Sequence, residues 1–366
     1  MKTRVKPRRA IVVLAGVLAL MTAGASAGAA RPMRVFILAG QSNCEGNGDG
    51  DKLPAELATA GPDLVMWSES DKKWGPLAAR PSNPVLAKMY GLGATQFGPE
   101  ISFGHAMREA YPDHRIGIVK VAVGGTSVLI WSKDFGSPEW TALMDAAGFP
   151  HRQSEGLYAR LLLPTVAHAL ATARAEGPAE VSAFVWVQAE KDSVSLDAAR
   201  AWAPRVVKLH QDLAADAGYR PDIPLVVMAP HTHIFERGAS THAEKILAGV
   251  RKAVDAGGPV TPESLRALCG LDESSVKQFQ GELMKMKYWV PACYAQIESV
   301  GIMERGLREM AARHPNLAIV ASDDLSTIEG LHFDTDGILE LGRRLAAACR
   351  EKADAGRNSR QAETPK

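Results

Sequence analysis

The chain has 366 residues, 46% of them hydrophobic, and its 42 Lys and Arg against 41 Asp and Glu give a formal net charge of +1. Charges balanced this closely supply no broad field to gather nucleic acid or an anionic membrane surface, so neither partner is expected. The four cysteines, Cys44, Cys269, Cys293 and Cys349, show no C-x-x-C spacing; this argues against a zinc site or a thioredoxin-like pair, while Cys269 and Cys293 are free to pair in an oxidising compartment.

At the amino terminus Lys2, Arg4, Lys6, Arg8 and Arg9 precede an uncharged apolar run over residues 10–21 and a small-residue stretch over 22–30. The pattern is that of a secretory signal peptide over residues 1–30, cleaved near Ala27 or Ala30, and predicts a secreted or periplasmic protein with no stable membrane partner afterwards. An uncleaved anchor is the alternative, because residues 10–30 just reach across a hydrocarbon core of about 30 Å. Residues 31–350 suffice for a single α/β domain. The polar segment 351–366 is expected to be a frayed tail.

Along the domain, short β-branched and apolar runs alternate with stretches of helical spacing, the signature of a parallel sheet covered on both faces. The first strand is predicted at residues 34–39 and runs into GQSN. A strand at 64–67, a helix at 100–110 and a strand at 116–123 follow, the last leading into GGTS. Next come a helix at 157–175, a strand at 181–187 leading into QAEKD, and a helix at 197–217. A strand at 225–229 leads into APHTH, before a helix at 240–256 and a peripheral helical insertion around 261–300. A helix at 302–313, a strand at 317–321, the segment STIEGLHFD and a helix at 337–351 complete the pattern. Ligands of open parallel sheets gather at the carboxyl ends of the strands, where these polar clusters fall.

Ser42 stands directly after the first strand, a place suited to a nucleophile. A serine hydroxyl needs a neighbouring base, normally histidine, itself oriented by a carboxylate. His332 supplies the base, with Glu329 three residues before it and Asp334 as the alternative carboxylate. Cys44 stands where G-x-S-x-G would have its second glycine, which argues against an ordinary α/β-hydrolase. His231 and His233 form an H-x-H after a strand, but no Asp, Glu or Cys spacing supports a metal site, and a loop contact is expected instead. Trp131 is the candidate for stacking on a sugar ring, whereas Trp186, inside a strand, is expected in the core.

FILAGQSNC, FGPEISFG at 97–104, VKVAVGGTSVLIW at 119–131, FVWVQAEKD at 184–192 and GLHFDTDGILELGRRLA at 330–346 occur in an order that resembles the SGNH hydrolases. Within them the chain is similar to the sialate O-acetylesterase-like family, which includes the acetylxylan esterases of carbohydrate esterase family 6, over residues 33–348. The resemblance implies a three-layer α/β/α sandwich, flavodoxin-like, around a parallel sheet of about five strands. It further implies a carbohydrate O-acetylesterase that uses neither metal nor organic cofactor, and an acetylated carbohydrate as its substrate. Ser42 would attack, His332 would carry the proton and Glu329, where the family usually has Asp, would orient the imidazole. The oxyanion donors would be the backbone N–H groups of Ser42 and Gly125 with the side-chain amide of Gln188. Gln41, Asn43 and Glu190 would hold the surrounding loops, and Cys44, where the family has Met, would pack inward. Ala189 and Lys191 depart from the family's QGESD. A lipid esterase or thioesterase of the same superfamily, and a carbohydrate-binding protein that has lost its catalysis, are the two rival readings.

Overall fold

The structure, a computed structural model, describes residues 31–149, 156–231, 293–328 and 331–363, together with Lys252 and Ala256. Its first half contains β1 (Met33–Gly40), α1 (Ser42–Glu45), β2 (Gly48–Asp49), β3 (Leu64–Ser68), β4 (Lys73–Pro76), β5 (Arg80–Pro81), α2 (Pro84–Tyr90), β6 (Thr95–Phe97) and α3 (Glu100–Ala110). There follow β7 (Arg115–Ala122), α4 (Pro138–Ala146), α5 (Leu163–Glu176), β8 (Ala179–Val187), α6 (Leu196–Ala217), β9 (Leu225–Met228), α7 (Cys293–Arg313), β10 (Leu317–Val320) and α8 (Thr335–Glu363).

The fold is α/β, built on a seven-stranded sheet in the order β10-β9-β8-β1-β7-β3-β4. All its pairings are parallel except that of β3 with β4. Period-two alternation decides which face each side chain meets. Along β1, Val35, Ile37 and Ala39 join one buried cluster with Val166 and Leu170 of α5, Trp202 and Val206 of α6, and Met303 and Leu307 of α7. Phe36 and Leu38 point the other way, into a second cluster with Ile101, Phe103 and Met107 of α3 and Ile338, Leu341 and Leu345 of α8. Two cores separated by one sheet make three layers.

β1 lies between β7 and β8, and the chain moves outward on one side of it before crossing to the other, so a switch point falls beside β1. Gly40 pairs with Ala122 and with Val187, which puts the carboxyl ends of the three strands level. Between Val35 and Phe36 the register against β8 shifts, leaving Ser182 as an extra residue on β8. A smaller antiparallel sheet, β2-β6-β5, stands apart from the large one.

The six parallel strands fall where the apolar runs predict them, within two residues at each end. The sheet is larger than five strands because the run at 64–67 joins it and β4 adds an antiparallel edge. A π-helical turn, Tyr158–Leu162, precedes α5. α7 starts at Cys293, earlier than its apolar spacing suggests, and α8 continues to Glu363, so the segment expected to fray from 351 is helical through most of its length. The expected signal peptide, the helix at 240–256 apart from Lys252 and Ala256, the insertion up to residue 292 and the Cys269–Cys293 pairing lie outside the described residues. Among the described residues no helix is long and apolar enough to cross a membrane.

Candidate active site

The nucleophile turn is set by close backbone contact. A Cβ on Gly40 would stand 2.0 Å from the carbonyl oxygen of Val187, so only glycine lets β1 end this close to β8. The next amide, of Gln41, donates to that same carbonyl at 3.0 Å, and the Gln41 carbonyl accepts from the amides of Cys44 and Glu45 at 2.8 Å each. The far end of α1 is held by cations: Lys120 Nζ and the Arg80 guanidinium each donate to the Glu45 carbonyl at 3.0 Å. Lys120 is buried and pairs at 2.7 Å with Glu100, also buried, so its charge is compensated. Cys44 is wholly buried beside Ser42, and burial pushes its thiol up to about 12, which leaves it an inert packing group.

Ser42 Oγ and His332 Nε2 are 3.0 Å apart although the residues are 290 positions distant in sequence. The histidine segment folds back on itself: the Ile328 amide donates to the His332 carbonyl at 2.8 Å, Thr327 bridges Phe333, and the Asp334 amide donates to the Ser326 carbonyl at 3.2 Å. Asn43 then clasps it from the nucleophile side. Its Nδ2 donates to the Leu331 carbonyl at 3.1 Å and its Oδ1 accepts from the Phe333 amide at 3.1 Å, so the neighbour of the nucleophile brackets His332 on both sides.

Glu190 anchors Asn43. Its Oε1 accepts from Asn43 Nδ2 at 2.5 Å and from His231 Nε2 at 3.1 Å, and its Oε2 accepts from the Ala189 amide at 3.0 Å. Burial alone would raise this carboxyl, but the His231 bond and charge, with the Glu190 and Ala189 amides, outweigh it and hold it at about 2. Gln41, Asn43 and Glu190 are all buried around the nucleophile. Opposite the nucleophile, Tyr90 Oη is 3.2 Å from His332 Nδ1, with ring centroids 5.5 Å apart. Glu329 lies outside the described residues. Asp334, the other candidate carboxylate, serves as a helix cap: its Oδ1 accepts from Ser326 Oγ at 2.5 Å and from the Gly337 amide at 2.9 Å, at the start of α8.

The loop after β7 passes directly beside the nucleophile: a Cβ on Gly124 would lie 3.7 Å from Ser42 Cβ and 3.1 Å from Glu45 Oε2. Gly125 has φ +68°, a left-handed conformation that suits glycine. Asp192 fixes the loop from behind, accepting from Ser127 Oγ at 2.6 Å, the Val128 amide at 3.0 Å and Gln188 Nε2 at 2.5 Å. Burial pushes the Asp192 carboxyl up to about 6, against the pull of those three donors.

Two expectations need correction. Gln188, expected as an oxyanion donor, spends both amide protons elsewhere, on Asp192 and on the Thr126 carbonyl at 3.0 Å, while its Oε1 accepts from Trp202 Nε1 at 2.9 Å. It is 0% exposed and braces the glycine loop. Trp131, expected to stack on a sugar, is also 0% exposed. Its Nε1 donates to Thr126 Oγ1 at 3.0 Å and its ring packs edge-on against Trp186 at 5.6 Å, leaving no open face for a ligand.

Ala189 has negative φ, so the methyl that replaces the family's glycine is accommodated. Lys191 Nζ lies 5.0 Å over the Phe149 ring. His231 makes the loop contact expected of it, to Glu190, while His233 lies outside the described residues. Among the described residues no group of three or more His, Cys, Asp or Glu is placed to hold a metal. Sequence reasoning missed Tyr90, which no motif marks, and Asp192, which stands inside a polar cluster already noted.

The sequence matches the family model described as carbohydrate esterase, sialic acid-specific acetylesterase, over residues 32–258. No curated protein matches it. Similar solved structures include a protein from Arabidopsis thaliana, with 19% identity, a TM-score of 0.48, and coverage of 87% of this chain and 98% of the other. NanS is similar at 15% identity and a TM-score of 0.40, covering 78% of this chain and 98% of its own. A lipase from a goat rumen metagenome has 9% identity and a TM-score of 0.38, covering 86% and 97%.

Proposed function

We propose that this chain, which belongs to the carbohydrate esterase family of sialic acid-specific acetylesterases, is a serine esterase that removes O-acetyl groups from carbohydrates through an acyl-enzyme. The observation that carries the proposal is the 3.0 Å contact between Ser42 Oγ and His332 Nε2 at the carboxyl edge of the sheet. In the first step the Ser42 oxygen attacks the acetyl carbonyl while its proton passes to His332 Nε2. The oxyanion is held by the backbone N–H groups of Ser42 and Gly125. Collapse breaks the bond to the sugar oxygen, which leaves with the proton from His332. Water, deprotonated by the same nitrogen, then attacks the acetyl-serine, releasing acetate and restoring the hydroxyl. Glu329 orients the imidazole in this reading. No step requires a metal or organic cofactor. The basic and apolar segment over residues 1–30 supports export to the periplasm or beyond the cell, with acetylated carbohydrate as the partner encountered there.

The test is acetate release from acetylated polysaccharides and from a simple acetyl ester. The full chain should release acetate and react covalently with a fluorophosphonate, and Ser42→Ala should lose both activities. Equal rates in the variant refute the nucleophile. Strong preference for long acyl chains in an ester series refutes an acetyl pocket in favour of a lipid esterase, and failure of the intact protein to label refutes catalysis altogether.

A further inference from the structure

We propose that Tyr90 is a positioning residue that fixes the tautomer of His332 from the side opposite the nucleophile, a role that rests on the esterase reading above. The Ser42 hydroxyl can donate to Nε2 only when that nitrogen carries its lone pair, which puts the neutral ring's single proton on Nδ1. The phenol oxygen of Tyr90 stands 3.2 Å from Nδ1, and with the proton there it accepts that N–H alongside the Glu329 carboxylate assigned above to the imidazole. When His332 takes the serine proton the ring becomes cationic, its Nδ1–H becomes a stronger donor, and the bond to Tyr90 tightens as the transition state forms. No proton passes to or from the phenol.

The architecture around Tyr90 is built to hold it there. None of the residues of α2 is buried, and Val85 and Met89 are 66% and 52% exposed, so burial of an apolar face does not explain this helix. It is tied instead at both ends to the two catalytic segments. At its start the side chain of Asn83 caps the Val85 amide at 2.9 Å, and the Asn83 amide donates to Gln96 Oε1 at 2.7 Å. Gln96 Nε2 in turn donates to the carbonyl of Gly46, just beyond α1, at 3.0 Å. At its end, left-handed Gly91 closes the helix and the Gly93 amide donates to Asp49 Oδ1 at 3.0 Å. The Asp49 amide donates to Thr335 Oγ1 at 3.0 Å, three residues past His332. The small β2-β6-β5 sheet thus spans from nucleophile to base and presents one phenol to the imidazole.

Tyr90→Phe removes the hydroxyl and little else. In the full chain it should lower kcat on a simple acetyl ester about tenfold, the scale of one hydrogen bond to a group that gains charge, with KM within about twofold of wild type. Fluorophosphonate labelling of Ser42 should slow in step, and the downfield proton resonance of the His332 Nδ1–H should move or vanish. Unchanged kcat, a loss confined to KM, or an unmoved resonance overturns the proposal. If wild type labels but releases no acetate from any ester, the acetylesterase reading fails while labelling and resonance still decide the role of Tyr90.

Discussion

Replacing Glu190 by Gln keeps the shape of the side chain and removes its charge. In the native protein both Asn43 and His231 donate to one oxygen of Glu190 and the Ala189 amide donates to the other. A Gln amide in either orientation turns an N–H toward at least one of these donors, so no rotamer satisfies the site. A carboxyl lowered from an ordinary 4.5 to about 2 corresponds to about 3 kcal/mol of stability at neutral pH. The sign follows from the lowered value: the stabilisation is complete above pH 4.5 and is lost as pH falls toward 2. Urea unfolding of wild type and E190Q at a series of pH values is the assay. The variant should be weaker by about 3 kcal/mol at pH 7, and the gap should narrow steadily below pH 4.5. Equal stability at pH 7, or two curves that run parallel into acid, would refute the reasoning.

Asp192 titrates with the opposite sign, since its carboxyl is raised from 3.8 to about 6; its contribution is greatest below pH 3.8 and lost as pH rises through 6. The stability of Asp192→Asn measured against wild type should therefore improve by about 2 kcal/mol between pH 4 and pH 7, and a flat difference would rule out the buried charge. Gly40→Ala forces a methyl to within 2.0 Å of the Val187 carbonyl. That is a backbone clash that no rotamer relieves, and it should cost at least about 3 kcal/mol in thermal unfolding and eliminate fluorophosphonate labelling.

The central strands were legible because each is a predominantly apolar run covered on both faces, so hydrophobicity marks it despite single polar residues such as Lys120 in β7 and Ser182 in β8. β4, reading Lys-Trp-Gly-Pro at an open edge, carries no such run. The small-sheet strands of two or three residues are too short for any period to register. α2 escaped notice even though Asn83 and Pro84 form a cap and first turn, because its exposed apolar residues make no stripe. In the site, Ser42 was marked by its place after a strand and His332 by the carboxylates beside it, the two being joined by the family resemblance, and their contact is present. The roles of Gln188 and Trp131 were misread for one reason: a polar cluster at a strand end signals proximity to the cleft, but whether a side chain faces the cleft or braces the loop behind it depends on partners such as Asp192 and Thr126 that only the folded chain supplies. Tyr90 reaches the imidazole through contacts spread over four segments, and no local pattern encodes that.

The extra residue on β8 sets the height of the chemistry. Were Ser182 paired with Phe36 instead of bulged, Gly40 would stand opposite Trp186 instead of Val187, and the segment carrying Glu190 would rise by one residue, about 3.3 Å. That displacement exceeds the length of a hydrogen bond, so Glu190 would lose its grip on Asn43 and the clasp on the imidazole with it. A mid-strand irregularity far below the cleft thus takes up the one residue that would misalign the rim, and drawing Ser182 into the regular ladder would leave a well-formed sheet whose catalytic parts no longer meet.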